Sequence, residues 1–145
     1  MRAITIPEHG DTSVLTLVSD FPKPTLAPGE VLLKVSVTGL NRIDLIVRGG
    51  YPGIPIELPH IPGGDIAGTV EELGEGVEDF AVGTRAIVHP LVACGACDQC
   101  HDGRENLCLN WKYFGMHLKG GSAEYVAMPS ANIVPLPDSV SFEDA

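Results

Sequence analysis

The four cysteines of this chain are crowded into fifteen residues. Cys94, Cys97, Cys100 and Cys108 form the pattern C-x2-C-x2-C-x7-C. A zinc ion takes four ligands at the corners of a tetrahedron, about 2.3 Å away when they are sulfur, and thiolates match its softness. Steps of three residues let one tight loop curl around the ion, and Cys108 closes the fourth corner. The spacing therefore predicts a zinc site.

Two disulfide bonds or four free thiols are the alternatives to a metal site. Disulfides need an oxidising compartment, which nothing in the sequence indicates, and so dense a spacing would strain some of the pairings. Four sulfur ligands complete the coordination sphere of zinc, so no position is left for water or substrate. We therefore expect one structural zinc per chain, holding a lobe from about residue 91 to residue 111 that is too polar to fold by burial alone.

The length and charge of the chain exclude several classes of function. With 145 residues, of which 44% are apolar, it is long enough for one domain with its own core. Its 19 acidic residues outnumber 9 basic ones, and the net charge of −10 has the wrong sign for binding nucleic acid or an anionic membrane surface. No stretch approaches the ~18 apolar residues of a membrane span, and the first residues lack the apolar core of a secretory signal. We expect a cytoplasmic protein.

Short apolar runs separated by turn residues predict a mainly β domain. The 17 glycines and 12 prolines favour many turns. The clearest strand covers residues 31–38, where Val31, Leu33, Val35 and Val37 share one face. Further runs with the character of β-strands are Ala3–Ile6, Val14–Val18, Ile66–Leu73, Arg85–Val88, Ala123–Met128 and Asn132–Leu136.

Helix signals are few. A short helix is predicted at Asn41–Arg48, because Asn41 is a good N-cap and a pair of glycines follows the run. At the C-terminus, Ser141 and Asp144 resemble the start of another helix. One helical turn is not stable alone, so we expect this chain to be the front part of a longer protein.

Three segments around the cysteine lobe, Gly39–Asp44, Pro59–Gly68 and Gly121–Tyr125, resemble the medium-chain dehydrogenase/reductase superfamily. They occur in the expected order, so the resemblance covers essentially the whole chain. It implies that residues 1–145 form a GroES-like catalytic domain, a partly open β-barrel with a short helix and a zinc-binding lobe. It also implies an NAD(P)-dependent oxidoreductase whose nucleotide-binding Rossmann domain is absent from this chain, in which we find no G-x-G-x-x-G fingerprint.

The chain departs from the pattern of zinc-dependent alcohol dehydrogenases at the catalytic metal. In those enzymes the segment at 41–44 begins with a cysteine ligand and has a Ser or Thr proton relay two residues later, whereas this chain has Asn41 and Ile43. Their second ligand segment reads Gly-His-Glu, and here it reads Gly63-Gly64-Asp65. An amide and one carboxylate cannot hold zinc in a site that also keeps an open position. The resemblance therefore predicts no catalytic zinc.

Asn41 and Asp44, with Arg48 and the sequence Gly50-Tyr51-Pro52 downstream, resemble instead the metal-free quinone oxidoreductase and enoyl reductase branch. The resemblance implies hydride transfer from NAD(P)H to a quinone, an α,β-unsaturated ketone or a simple carbonyl, so that negative charge builds on oxygen and needs hydrogen-bond donors. The candidate catalytic residues are Asn41, Asp44, Tyr51 and Asp65, and Asn41 is also the candidate contact to the cofactor. Asn41 and Tyr51 supply the donors.

Each candidate also has a purely structural interpretation. Asn41 is equally explained as a helix cap, and Tyr51 as an aromatic residue packing in a turn. Asp44 and Asp65 are expected to pair with one of three arginines, Arg42, Arg48 or Arg85. The aromatic residues after the cysteines are expected to pack the lobe against the barrel: Trp111, Tyr113 and Phe114. Three isolated histidines are expected to be ordinary surface or core residues: His60, His89 and His117.

Two other functions compete with an enone or quinone reductase. One is a zinc-dependent alcohol dehydrogenase, and the other is a stand-alone, zinc-stabilised binding module without chemistry. For the intact enzyme the resemblance implies a small carbonyl, enone, quinone or alcohol substrate, NAD(P) bound mainly by the missing domain, and a homo-oligomer. This chain by itself is expected to lack activity, because the cofactor groove is missing.

Overall fold

The computed structural model describes residues 1–145 and contains nine strands and two α-helices. The strands are β1 (Ala3–Thr5), β2 (Thr16–Val18), β3 (Glu30–Thr38), β4 (Ile66–Leu73), β5 (Arg85–Val88), β6 (Leu91–Val92), β7 (Lys112–Tyr113), β8 (Tyr125–Pro129) and β9 (Ile133–Pro135). The helices are α1 (Arg42–Gly49) and α2 (Asp98–His101), and short 3-10 turns occupy Thr12–Val14, Glu105–Leu107 and Ser130–Asn132. No helix has the length and hydropathy needed to span a membrane.

A five-stranded antiparallel sheet in the order β8-β3-β4-β5-β9 forms the centre of the domain. Its two edge strands do not pair with each other, so the barrel is partly open. Two smaller antiparallel ribbons, β1-β2 and β6-β7, complete the β structure. An isolated bridge between Ile6 and His60 ties the N-terminal segment to the loop before β4.

The main core lies on one face of the large sheet. Val31 and Leu33 of β3, Val70 of β4 and Met128 of β8 are almost fully buried there, and Phe114 joins them from the end of the cysteine lobe. Valine and leucine at alternate positions of β3 explain this placement, since alternate side chains of a strand share a face. The mainly β prediction and the positions of β3, β4 and β5 are confirmed.

A second, smaller core holds helix α1 in place. Ile6, Val47 and Met116 are buried together, and Ile43 and Tyr113 pack against them. The predicted helix forms, with Asn41 as the residue that precedes its first turn. The N-terminal end of α1 is thereby fixed beside the segment that joins α1 to β4 and beside β7.

Some predicted boundaries were wrong. Residues 12–14 form a 3-10 turn capped by Asp11, whose carboxylate accepts from the Ser13 amide, so β2 starts only at Thr16. At the C-terminus the Ser141 hydroxyl donates to the Asp144 carboxylate and accepts from the Asp144 amide, which is the hydrogen-bond pattern of a helix start. Arg85 fixes this tail by donating to the carbonyl oxygens of Pro137 (3.0 Å) and Val140 (2.6 Å).

Candidate metal centre and active site

The four cysteine sulfurs form a compact cluster between β6 and β7. All four lie within 4.8 Å of one another, with 3.5 Å from Cys97 to Cys100 and 3.9 Å both from Cys94 to Cys100 and from Cys97 to Cys108. A regular tetrahedron with metal–sulfur distances of about 2.3 Å has edges of about 3.8 Å. The cysteines are free and these separations are far from a bond of about 2.05 Å, so the two-disulfide alternative does not describe this structure. The quartet fits a tetrahedral zinc ion.

The backbone around the sulfurs also fits a site for a cation. Gly95 adopts a positive φ of 67° at the turn between the first two cysteines, and the Cys94 amide donates to the Cys108 sulfur over 3.3 Å. The backbone amide of Cys100 lowers the pKa of Cys97 to about 6. Burial and the Cys97 thiol raise the pKa of Cys100 to about 12. A divalent cation supplies the positive charge that lets all four sulfurs ionise together.

Asp44 joins helix α1 to the loop before β4. Its Oδ2 accepts a hydrogen bond from the Asn41 amide (2.7 Å), and its Oδ1 accepts one from the Gly63 amide (2.8 Å). The side chain is buried, with 6% of the residue exposed. The expected ion pair with an arginine was wrong: both oxygens are occupied by backbone amides. These two bonds fix the start of α1 relative to the glycine pair before β4.

Asn41 and Asp65 contact each other directly. The side-chain Nδ2 of Asn41 donates to Oδ2 of Asp65 over 2.6 Å. The backbone carbonyl of Asp65 is itself fixed, since it accepts from the Thr38 hydroxyl and from the Gly39 amide, both over 3.0 Å. Asp65 does not pair with Arg85, so that expectation was also wrong. The structure therefore brings together two of the four candidate side chains and orients the amide.

The ring of Tyr113 occupies the space next to Gly64. The sequence did not indicate Tyr113 as a site residue. A Cβ added to Gly64 would lie 2.7 Å from Cε1 of Tyr113, so a side chain at position 64 and the Tyr113 ring compete for the same volume. Burial raises the pKa of Tyr113, and the negative charges of Asp65 and then Asp44 raise it further. The phenol therefore stays protonated at neutral pH and can donate a hydrogen bond, and its ring lies against Gly64, the residue before Asp65. Its place after the last cysteine was the only signal in the sequence.

Tyr51 lies apart from this network. It follows α1 in a turn that begins at Gly50, whose φ is 85° and which packs against the His9 ring. The residue is 44% exposed, and its hydroxyl makes no hydrogen bond within the chain. The candidate site therefore consists of Asn41, Asp65 and Tyr113, with Asp44 beneath it.

The donor set at this second site does not fit zinc. Position 41 offers an amide whose nitrogen is already bonded to Asp65, and Gly64 offers nothing. The cysteine quartet is the only group of three or more potential His, Cys, Asp or Glu ligands that lies close enough together to hold a metal. A catalytic zinc needs about three protein ligands and an open position, which these residues do not supply.

The aromatic residues that follow the lobe play different roles. Phe114 is buried in the main core and Tyr113 packs on the smaller one, as expected for residues that fasten the lobe to the barrel. Trp111 remains 40% exposed, and its ring meets His117 edge-on with centroids 4.9 Å apart.

Comparison with known proteins identifies the family. Residues 27–138 match the model of the alcohol dehydrogenase GroES-like domain. The chain is 39% identical over 130 residues to an alcohol dehydrogenase of Geobacillus stearothermophilus, covering 88% of this chain and 38% of that protein. It is 39% identical over 128 residues to an L-threonine 3-dehydrogenase of Pyrococcus horikoshii, covering 87% of this chain and 36% of that protein.

The fold agrees with this assignment. The crystal structure of an NAD-dependent alcohol dehydrogenase superposes with a TM-score of 0.91 at 40% identity, covering 99% of this chain and 41% of that one. The chain thus spans about two fifths of the length of the proteins it matches. The expected GroES-like, mainly β fold is confirmed, as is the resemblance to the medium-chain dehydrogenase/reductase superfamily. This chain belongs to the alcohol dehydrogenase GroES-like domain family.

Proposed function

We propose that this chain is the substrate-binding, catalytic domain of an NAD(P)-dependent oxidoreductase that reduces a quinone or an enone. In this proposal the zinc is structural, and the reacting carbonyl is polarised without a metal. The observation that carries the proposal is the hydrogen bond from Asn41 to Asp65, at the positions where the zinc alcohol dehydrogenases described above have metal ligands.

The side-chain amide of Asn41 has two N–H groups, and one of them donates a hydrogen bond to Asp65. The second N–H can donate a hydrogen bond to a substrate oxygen. The bond to Asp65 fixes the direction in which this second N–H points. A preorganised donor that faces developing negative charge is the usual means of stabilising an oxyanion. We therefore assign Asn41 as the donor to the substrate oxygen and Asp65 as the residue that positions it. The candidate contact of Asn41 to the cofactor remains part of this proposal.

Tyr113 is the second donor in this mechanism. Its phenol is protonated at neutral pH, because burial and two neighbouring carboxylates oppose its ionisation. It also excludes any ligand side chain from position 64. Tyr51 remains a candidate at the rim of the site, since its hydroxyl is free to meet a substrate that approaches from solvent.

Bound NAD(P)H supplies the hydride, and we expect the remainder of the enzyme to hold it in a Rossmann domain. The residues of this chain would orient the acceptor, stabilise its oxygen and shield it from water. We further propose that the intact enzyme is a cytoplasmic homo-oligomer. A reducing compartment keeps the cysteines available as thiolates, which supports the cytoplasmic assignment.

A zinc-dependent alcohol or threonine dehydrogenase is the second candidate function, because proteins named alcohol dehydrogenase and L-threonine 3-dehydrogenase are each 39% identical to this chain. Zinc analysis of the purified enzyme separates the two. We expect one zinc per chain, with all of it lost when Cys97 and Cys100 are replaced by serine. A second zinc ion per chain that remains bound in this cysteine variant would overturn the metal-free mechanism.

Activity assays test the reaction itself. The enzyme that carries this domain is expected to oxidise NADH or NADPH with a small quinone or enone, and to act more slowly on ethanol or threonine with the oxidised cofactor. Absence of turnover with every one of these substrates would favour the binding-module alternative.

A further inference from the structure

A second concave site has a lining of its own, distinct from the residues of the candidate active site. It is a cavity of about 760 Å³ between the 21–25 segment, the 117–120 segment and strand β8. Cavities of roughly 300–1,000 Å³ are the size that holds small organic ligands. None of the proposed site residues Asn41, Asp44, Tyr51, Asp65 and Tyr113 lines it.

Positively charged side chains line this cavity, although the protein as a whole is acidic. The chain has a net charge of −10 and only four lysines, yet three of them, Lys23, Lys112 and Lys119, line this one cavity. No lysine of the chain forms a salt bridge. Two of the three lie over aromatic rings instead: Lys23 is 4.4 Å from the centroid of Tyr125, and Lys119 is 5.7 Å from that of Phe21. These ammonium groups are therefore available to an anion.

The carboxylates on the rim do not neutralise the lysines. Glu30 accepts a hydrogen bond from the Ala27 amide over 2.9 Å and is thereby held to its own turn. Glu57 is exposed and forms no salt bridge.

Two histidines of the cavity wall have nitrogens without a partner. His60 is 98% buried, since only 2% of it is exposed, and its Nε2 has no hydrogen-bond partner. The buried Nδ1 of His117 has none either. Buried polar atoms normally have partners, because an unmade hydrogen bond is costly. Both rings line the same cavity as Lys112 and Lys119. Burial lowers the pKa of each imidazole, and a lysine adds to the lowering: Lys119 for His60 and Lys112 for His117.

We propose that this cavity binds a small organic acid. Its carboxylate would lie among Lys112, Lys119 and the two imidazoles, and its apolar body would contact the ring of Phe21 and the buried wall at Phe114. The lysines of the lining specify the anionic end, and its aromatic residues specify the apolar end. This site is separate from the proposed hydride acceptor site and does not depend on it.

Titration with octanoate tests the proposal on the zinc-loaded 145-residue chain. Calorimetry measures the affinity, and two-dimensional NMR follows the imidazole nitrogens of His60 and His117. We expect saturable binding with shifts in both rings, and at least tenfold weaker binding of the neutral analogue octanamide and of inorganic phosphate. If octanamide bound as tightly as octanoate, the proposed recognition of the carboxylate would be wrong. If phosphate bound as tightly, the proposed recognition of the apolar chain would be wrong.

Lysine variants locate the site. The double variant Lys112→Gln/Lys119→Gln is expected to weaken octanoate binding at least tenfold. Lys34→Gln is the matched control, because Lys34 is the one lysine that does not line the cavity and it is exposed on β3. The NMR spectrum shows directly that each variant is folded. Unchanged affinity in the double variant, or an equal loss in Lys34→Gln, would overturn the proposal.

Discussion

The side-chain amide of Asn41 donates a 2.6 Å hydrogen bond to the carboxylate of Asp65, 24 positions further along the chain. The two residues come from the start of α1 and the start of β4, and Asp44 fixes both segments by accepting from the Asn41 and Gly63 amides. The geometry of the proposed oxyanion donor therefore depends on a buried carboxylate whose two oxygens both accept from backbone amides.

Replacing Asn41 with alanine should lower kcat by about 100-fold in the enzyme that carries this domain, because loss of one oxyanion donor typically has that effect. The KM for the substrate should change little. Loss of the residue at the helix N-cap should also reduce the free energy of unfolding by about 1 kcal/mol. Steady-state kinetics measures the first effect. Leu40→Ala is the control, since Leu40 is adjacent and 86% exposed. A kcat within twofold of wild type would rule out the proposed role.

Asp44→Ala should destabilise the domain by about 3 kcal/mol. Two backbone amides lose a charged, buried acceptor, and hydrogen bonds to charged groups contribute about 1.5–3 kcal/mol each. Urea unfolding of the zinc-loaded chain measures the change. Asp20→Ala removes the same charge from an exposed residue and should cost less than about 0.5 kcal/mol. Similar losses in both variants would mean that the effect comes from net charge alone.

Gly64→Ala should destabilise the domain by about 1–3 kcal/mol, as expected for a methyl group forced into occupied space. The added Cβ would lie 2.7 Å from the Tyr113 ring and 3.1 Å from the Phe114 carbonyl oxygen. In a Tyr113→Ala background much of this cost should disappear, because the ring is then gone. A double-mutant cycle from urea unfolding gives the coupling. Additive effects would show that Tyr113 does not fill this space in solution.

Removing zinc should open the cysteine lobe and expose the only tryptophan of the chain, Trp111. Chelation is therefore expected to shift its fluorescence to longer wavelength, and added zinc should reverse the shift. Binding should release protons, since the ligands bind as thiolates and the pKa of Cys100 is raised to about 12 in the metal-free quartet. Fluorescence combined with proton-release measurements checks both statements. A chelator-treated chain with an unchanged spectrum would contradict the structural role of the metal.

Acid should destabilise the domain through His60. Burial lowers the pKa of this imidazole below the ordinary value of 6.5, the hydrogen bond to the Gly115 backbone opposes this, and Lys119 adds to the lowering. The unfolded chain therefore takes up a proton near pH 6.5 while the folded chain does not. The free energy of unfolding should decrease as the pH falls below that value, until the folded pKa is reached, by at most about 1.4 kcal/mol per pH unit.

The His60→Gln variant isolates this contribution. The metal site of both proteins is equally sensitive to acid. The difference between their free energies of unfolding at each pH, measured with zinc in excess, therefore excludes this shared contribution. Urea unfolding between pH 5 and pH 7.5 should give a flatter dependence for the variant. Parallel curves would exclude His60 as the source.

The sequence predicted what depends on local pattern. Alternating valines placed β3, the cysteine spacing predicted a cluster that fits a tetrahedral metal, and Asn41 marked the start of α1. The prediction that Asp44 and Asp65 pair with arginines was wrong. Opposite charges suggest an ion pair, but the partner of a carboxylate is determined by which groups the folded chain brings next to it. Nothing in the sequence indicates that the backbone amides of Asn41 and Gly63 will donate to the Asp44 carboxylate.

Tyr113 could not be placed by sequence reasoning for a related reason. Its contact with Gly64 joins positions separated by the whole of β4, β5 and the cysteine lobe, and only the folded chain brings them together. The free nitrogens of His60 and His117 are likewise visible only in three dimensions. Single histidines in a sequence are ordinary, and what distinguishes these two is a buried ring nitrogen in the wall of a cavity that lysines also line.

Tyr113 stands five positions after the last sulfur ligand and one before Phe114, which is anchored in the main core. The position of the Tyr113 ring is therefore fixed from both sides, by the cysteine quartet before it and by the buried Phe114 after it. If Tyr113 acts as the proposed donor, we expect oxidation of the sulfurs to release its ring and lower the activity without any chemical change at Asn41 or Asp65.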